Sequence, residues 1–160
     1  MPAPEEGAIA PDFDLPTNDG GRVVLSHLRG RPVVLYFYPQ DGTETCTIEA
    51  IDFSAALKDF EAAGAMVVGI SPDSIKSHER FRAKHGLGIT LAADPDRKVI
   101  TRYGLWTEKS MFGRTFMGVE RATFLIGADG RIARVWRKVR LKGHVQEVLG
   151  SARGMNHNRA

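Results

Sequence analysis

Apolar positions along the chain follow two rhythms, and they change over at one turn. Pro32-Val33-Val34-Leu35-Tyr36-Phe37-Tyr38 is an unbroken β-branched and aromatic run. It predicts a strand over 33–38 buried on both faces, as in a parallel or mixed sheet. Pro39 ends the strand because proline cannot donate to a ladder. Gln40-Asp41-Gly42-Thr43 is turn chemistry. Beyond it Ile48, Ile51 and Ala55, and likewise Phe53, Leu57 and Phe60, recur at three- and four-residue steps. That spacing predicts a helix over 46–63, stopped by Gly64.

The same reading extends to the rest of the chain. Phe13–Leu15 and Arg22–Leu25 flank Thr17-Asn18-Asp19-Gly20-Gly21, a hairpin turn, and a short helical turn at 26–29 precedes Gly30. A strand is predicted over 66–70, a helix over 74–84, a short strand at 91–93 and a helix near 97–103. Ala122–Ile126 and Arg131–Trp136 straddle Gly127-Ala128-Asp129-Gly130, a second hairpin. A helix over 143–151 closes the chain. The stretch Leu105–Gly118 carries glycine and aromatic residues and fits neither rhythm. This order predicts an α/β fold: a central mixed β-sheet with helices on both faces and an N-terminal β-hairpin.

Composition bounds the picture. The chain has 160 residues, which suits a single domain over 1–160, with the ends 1–7 and 151–160 expected to be flexible. Hydrophobic residues make up 42% and charged residues 26%, both globular values. No apolar run approaches the roughly 18–20 residues of a membrane span, so no membrane partner is expected. Met1–Glu6 lacks a basic region and an apolar core, so it does not read as a signal peptide. The net charge is +3, with Arg131, Arg134, Arg137, Lys138, Arg140 and Lys142 clustered late in the chain. A nucleic-acid strip is one reading of that cluster. The favoured one is the solvated face of an edge strand, so no nucleic-acid partner is expected. His27, His78, His85, His144 and His157 show no metal-ligand spacing. They are expected to be surface or capping residues, and no metal is expected.

The candidate chemistry is Cys46, the one cysteine present. A lone thiol forms no internal disulfide, and its solitude suits a reducing, cytoplasmic compartment. No C-x-x-C motif suggests dithiol exchange. By itself Cys46 could be a small buried hydrophobe. Its predicted place, however, is the first turn of a helix after a buried strand, where free N–H groups and the dipole favour an anion. A cysteine is only a few per cent thiolate at neutral pH. Full ionisation needs roughly 3–4 kcal/mol, whereas a helix terminus supplies about 0.3–1, and up to about 2 in partly buried geometry. Nearby Glu44 and Glu49 are acidic. A cation must therefore come from elsewhere in the fold.

These residues carry a family resemblance. Pro39-x-x-x-Thr43-x-x-Cys46 resembles the active-site signature of peroxiredoxins. Tyr36-Phe37-Tyr38-Pro39 and Cys46-Thr47-Ile48-Glu49-Ala50 resemble the PrxQ group, also called bacterioferritin comigratory protein. Ala10–Pro16, Val68–Asp73, Gly118–Ile126 and Val139–Leu149 are similar to further family segments, so the likeness spans roughly residues 8–150. It implies a thioredoxin-like fold and a thiol peroxidase with no cofactor. Cys46 would be the peroxidatic cysteine, attacking a peroxide oxygen and becoming a sulfenic acid. Thr43 would hydrogen-bond thiolate and peroxide, and Arg121 would be the missing cation. Pro39 would shield the sulfur. Tyr38, Thr45 (through its backbone N–H) and Glu49 would lie at the substrate.

Plainer readings stand beside these roles. Thr43 suits a helix N-cap, Arg121 a solvated strand, and Pro39 a strand end. Glu49 lies on Cys46's helix face; it either orients Arg121 or suits the helix N-terminus.

The chain departs from the family pattern twice. Glu44-Thr45 stands where the group usually carries Pro-Gly. Ile51 stands where many relatives carry a second, resolving cysteine, and 74–85 supplies no thiol either. The expectation is a one-cysteine enzyme, monomeric, resolved by an outside thiol such as thioredoxin, glutaredoxin or glutathione. A slow resolver would expose the sulfenic acid to over-oxidation. The rival readings are a peroxide sensor that forms mixed disulfides with a partner protein, and a silent thioredoxin-like binding module whose thiolate Glu44 has spoiled.

Overall fold

A computed structural model describes residues 2–157. Its centre is a five-stranded sheet in the order β5-β4-β3-β8-β9, built from β3 (Val33–Phe37), β4 (Met66–Ser71), β5 (Thr90–Ala93), β8 (Ala122–Ile126) and β9 (Ile132–Arg137). β3 pairs parallel with β4, and β4 with β5, while β8 runs antiparallel to both β3 and β9. The sheet is therefore mixed, as the order of elements predicts.

The apolar run of β3 is continuous because both sheet faces are covered. Val33, Leu35 and Phe37 enter one core with Phe124, Ile100 and Tyr103; Val34 and Tyr36 enter the other with Phe53, Phe60, Phe81 and Leu149. Each fully buried side chain of this size contributes roughly 1.5–3 kcal/mol. The first core is closed by the hairpin of β1 (Asp14–Pro16) and β2 (Arg22–Val24) and by α4 (Lys98–Arg102). The second is closed by α1 (Glu44–Ala55), α2 (Leu57–Ala62), α3 (Ile75–His85) and α5 (His144–His157). One close approach depends on glycine: a Cβ on Gly69 of β4 would sit 2.6 Å from Cζ of Tyr36 on β3.

The structure corrects the sequence reading in several places. The helix predicted over 46–63 begins at Glu44 and is two helices, α1 and α2, meeting at Ala56 (φ −93, ψ 2). The unassigned stretch 105–118 is a hairpin of β6 (Trp106–Met111) and β7 (Arg114–Val119). Phe112 (φ 52) and Gly113 (φ 76) form its turn, the left-handed pair that a two-residue hairpin loop requires. Most of its side chains are exposed, so no buried face imposed an alternation on the sequence.

Both ends carry contacts to the rest of the fold. α5 continues to His157 and buries Ala152. Near the start, Gly7 N–H donates to the Ile132 carbonyl at 2.8 Å, and the Glu6 carboxylate accepts from Val135 N–H at 3.3 Å. Met1 and 158–160, also expected to be flexible, lie outside the described residues.

The late basic cluster lies on and to either side of β9, an edge strand. Arg134 reaches Glu147 at 2.6 Å, Arg137 pairs with Glu120, and Arg131 donates to the Gly7 carbonyl at 3.0 Å. These arginines engage the molecule's own acceptors. The histidine expectation fails at two positions, since His78 and His144 are buried. His144 Nε2 lies 2.8 Å from the Thr123 hydroxyl, and its ring meets Phe53 and Trp136 edge-on.

Candidate active site

The site forms where β3 hands over to α1. Thr43 is the last extended residue (φ −71, ψ 153), and Glu44 opens the helix. The Thr43 carbonyl accepts from Thr47 N–H at 2.9 Å and from the Thr47 hydroxyl at 2.7 Å. Thr43's own hydroxyl makes no capping bond and donates back to the Gln40 carbonyl at 3.1 Å. Side-chain capping therefore does not explain Thr43, and its hydroxyl is not on the sulfur in this structure. Thr45 and Cys46 occupy the first turn, where N–H groups lack an intrahelical acceptor. Cys46 is 1% exposed, whereas Thr45 and Glu44 face solvent. Pro39, half-buried, follows the end of β3.

The sheet topology supplies the cation. Phe37 at the end of β3 pairs with Ala122 at the start of β8, so Arg121 emerges beside the Cys46 turn from a position 75 residues away in sequence. Its Nη2 donates to Cys46 Sγ at 3.2 Å, and its Nη1 donates to Glu49 Oε1 at 2.5 Å. Arg121 is thus not a solvated strand residue, and Glu49 is its anchor. An arginine held at both ends of its fork keeps a fixed orientation, which a lysine could not match.

Electrostatics sharpen this arrangement. Glu49 is fully buried, and Oε2 has no hydrogen-bond partner. Burial pushes its carboxyl up to about 7, although Arg121 pulls the other way. For Arg121, burial acts to lower its pKa, but Glu49 and then Cys46 hold it above its ordinary value. The two shifts differ in what they favour; arginine stays charged either way, so Glu49 is the member whose charge is at stake.

The structure also brings in residues that the sequence reading missed. Lys109 of β6 is half-buried; burial and then Arg121 lower its pKa, while Cys46 and Glu120 oppose this. Its stem crosses the hairpin, where a Cβ on Gly118 would meet Lys109 Cδ at 3.0 Å. It was illegible because the hairpin was. Asp41 and His78 form a second group. Asp41 Oδ2 lies 2.7 Å from His78 Nδ1, and Asp73 joins them, their ligand-type atoms all lying within 4.8 Å of one another. Those atoms already bond to protein groups: Asp41 to Ser77 and Tyr38, Asp73 to Ser71 and the Asp41 N–H. The group therefore reads as a hydrogen-bond network. Tyr38 belongs to it. Its buried hydroxyl donates to Asp41 Oδ1 at 2.6 Å, so it braces the loop instead of offering a free hydroxyl to substrate.

A buried thiol beside a fixed guanidinium and unpaired helix N–H groups can hold a thiolate. It can also stabilise negative charge developing on an oxygen brought in line with the sulfur.

Known proteins resemble this chain along most of its length. The AhpC/TSA family model matches residues 7–135. A putative peroxiredoxin bcp of Coxiella burnetii is 46% identical, covering 91% of this chain and 97% of its own. Peroxiredoxin Bcp of Bacillus subtilis is 42% identical, covering 95% and 97%. Among solved structures, the Xanthomonas campestris bacterioferritin comigratory protein, studied as trapped intermediate and ligand complexes for its alkyl peroxide reduction, superposes with a TM-score of 0.87 at 38% identity, covering 95% of this chain and 97% of its own. The chain belongs to the AhpC/TSA family, as a single-cysteine peroxiredoxin of the PrxQ or bacterioferritin comigratory group with a thioredoxin-like fold, and it is a thiol-dependent peroxidase.

Proposed function

We propose that this protein reduces hydrogen peroxide and organic hydroperoxides through Cys46, and that an outside thiol completes each turnover. The thiolate attacks one peroxide oxygen and the O–O bond breaks. The leaving oxygen takes a proton and departs as water or alcohol, and the sulfur remains as a sulfenic acid. A thiol then attacks that sulfur, releasing water and forming a mixed disulfide, which a second thiol reduces to restore Cys46. The observation that carries this reading is the Arg121 Nη2–Cys46 Sγ contact of 3.2 Å, with the same guanidinium fixed by Glu49. Thr43, Thr45 and Pro39 frame the approach to the sulfur in this reading. The alkyl peroxide reduction named for the Xanthomonas relative supports organic hydroperoxides as substrates.

No second cysteine exists to condense with the sulfenic acid, and Ile51 is an exposed apolar residue. Thioredoxin, glutaredoxin and glutathione are the candidate thiols, acting on a cytoplasmic monomer. Glu44 is exposed on the first turn, where solvent screens its charge, which weakens the silent-module reading. Peroxide consumption with each thiol in turn is the test. Consumption that depends on a thiol and disappears in Cys46→Ser is expected; undiminished consumption in that variant would sink the proposal. Slow turnover with every thiol but stable capture of a partner protein through Cys46 would point to the sensor instead.

A further inference from the structure

Cys46 is 1% exposed. A peroxide is small enough to reach such a sulfur, but a thiol carried on a second protein is not. The second half of the proposed cycle therefore needs the segment before α1 to move. Among the described residues, 39–45 is hydrogen-bonded to elements outside itself and α1 through Asp41. Its N–H donates to Asp73 Oδ2 at 2.7 Å. Its Oδ1 accepts from the Tyr38 hydroxyl at 2.6 Å. Its Oδ2 takes the Ser77 hydroxyl at 2.9 Å and lies 2.7 Å from His78 Nδ1.

His78 is the far end of this tether. It is fully buried, and its Nε2 lies 3.0 Å from the Ala92 carbonyl on β5. A carbonyl only accepts, so Nε2 carries a proton. Nδ1 lies 2.7 Å from the Asp41 carboxylate oxygen. Both partners are satisfied where they are, and separating them would strand a buried polar group.

We propose that Asp41 and His78 are positioning residues that latch the Cys46 segment closed for peroxide and must release it for the outside thiol. This rests on the peroxidase reading above. While the sulfur is a thiolate, the segment is held at two points, by Asp41 and by the Arg121 contact. Once the sulfur is a neutral sulfenic acid, the Arg121 contact loses its charge assistance. The Asp41–His78 latch is then the main restraint, and its strength sets how often the sulfur can be reached.

His78→Phe keeps a ring and removes both ring hydrogen bonds; His78→Asn restores a donor near the Nδ1 position; Ser77→Ala removes one bond at the edge. Three quantities are measured: amide exchange across 40–47, single-turnover oxidation by hydrogen peroxide, and reduction of the oxidised protein by thioredoxin. In His78→Phe, exchange across 40–47 should rise on the order of tenfold, the effect of weakening one buried polar interaction. Exchange in β3, β4 and β8 should stay unchanged. Oxidation should slow while reduction by thioredoxin accelerates by a similar factor. Ser77→Ala should show the same pattern more weakly, and His78→Asn should return towards wild type. Unchanged exchange across 40–47, or both half-reactions falling together with thermal stability, would overturn the latch. Should His78→Phe fail to fold, Asp41→Asn carries the same test with the same expected signs. Amide exchange needs no peroxide, so it judges the latch even if wild-type Cys46 proves unreactive, a result that would instead fail the peroxidase reading.

Discussion

Two cations are coupled to Cys46 from regions of opposite character. Arg121 stands at the mouth of the buried strand β8, beside the end of buried β3, and its guanidinium is fixed by Glu49 on one side and the sulfur on the other. Lys109 stands on the β6–β7 hairpin, whose tip is exposed; Phe112 is 96% accessible. Among the described residues no side-chain hydrogen bond or ion pair fixes the Lys109 ammonium. A buried frame supplies a donor already aimed, so little reorganisation is needed as charge develops. A half-solvated lysine adds potential without direction, and solvent weakens it.

The strongest challenge to that contrast is to remove the aimed donor. Arg121→Lys keeps the charge but loses the fork, and peroxide consumption should fall by about 10²–10³, the usual cost of a lost oxyanion-type donor. A fall of less than about threefold would mean that charge alone suffices and the two cations are equivalent.

Glu49 tests the buried frame itself. Its carboxyl is raised from 4.5 to about 7 in the folded protein, chiefly by burial. Between these values the folded state holds a proton that the unfolded chain has lost. Stability from this group is therefore full below about pH 4.5 and falls as pH rises to about 7. The loss is roughly 3 kcal/mol if the shift is fully expressed. Glu49→Gln should remove this slope, so that denaturant unfolding of wild type and variant converges at low pH and diverges towards neutrality. Parallel profiles across that window would show that Glu49 does not change its charge there.

Smaller effects are expected on the hairpin. Lys109→Met removes the undirected cation and should slow Cys46 oxidation by about three- to tenfold, most visibly at low salt. A loss as large as that in Arg121→Lys would place Lys109 in the aimed set. Phe112→Ser at the tip should change stability by less than about 0.5 kcal/mol in thermal unfolding, since it packs on nothing.

The same contrast explains what could be read from the sequence. β3 was legible because both its faces are buried, which makes its composition uniform. Cys46 was legible because a strand end, a turn and a helix start are all local signals. The need for a distant cation followed from magnitudes, yet only the family resemblance pointed to Arg121, because pairing of β3 with β8 is a long-range fact. The β6–β7 hairpin was illegible because exposed strands need no alternation, and Lys109 was lost with it. Asp41 and His78 looked like a turn residue and a surface histidine. Nothing local indicates that 37 residues of chain fold back to join them. The break at Ala56 was missed because apolar spacing continues through it.

In the proposed chemistry Cys46 is the reacting group, and no second cysteine takes part. Intact-mass measurement of the reduced protein after one equivalent of hydrogen peroxide, with no thiol present, tests it most directly. The predicted result is one oxygen atom added at Cys46, reversible by thiol, with no disulfide-linked species and no such addition in Cys46→Ser. A Cys46 that remains fully alkylatable after peroxide, or oxygen carried only on methionines, would contradict it.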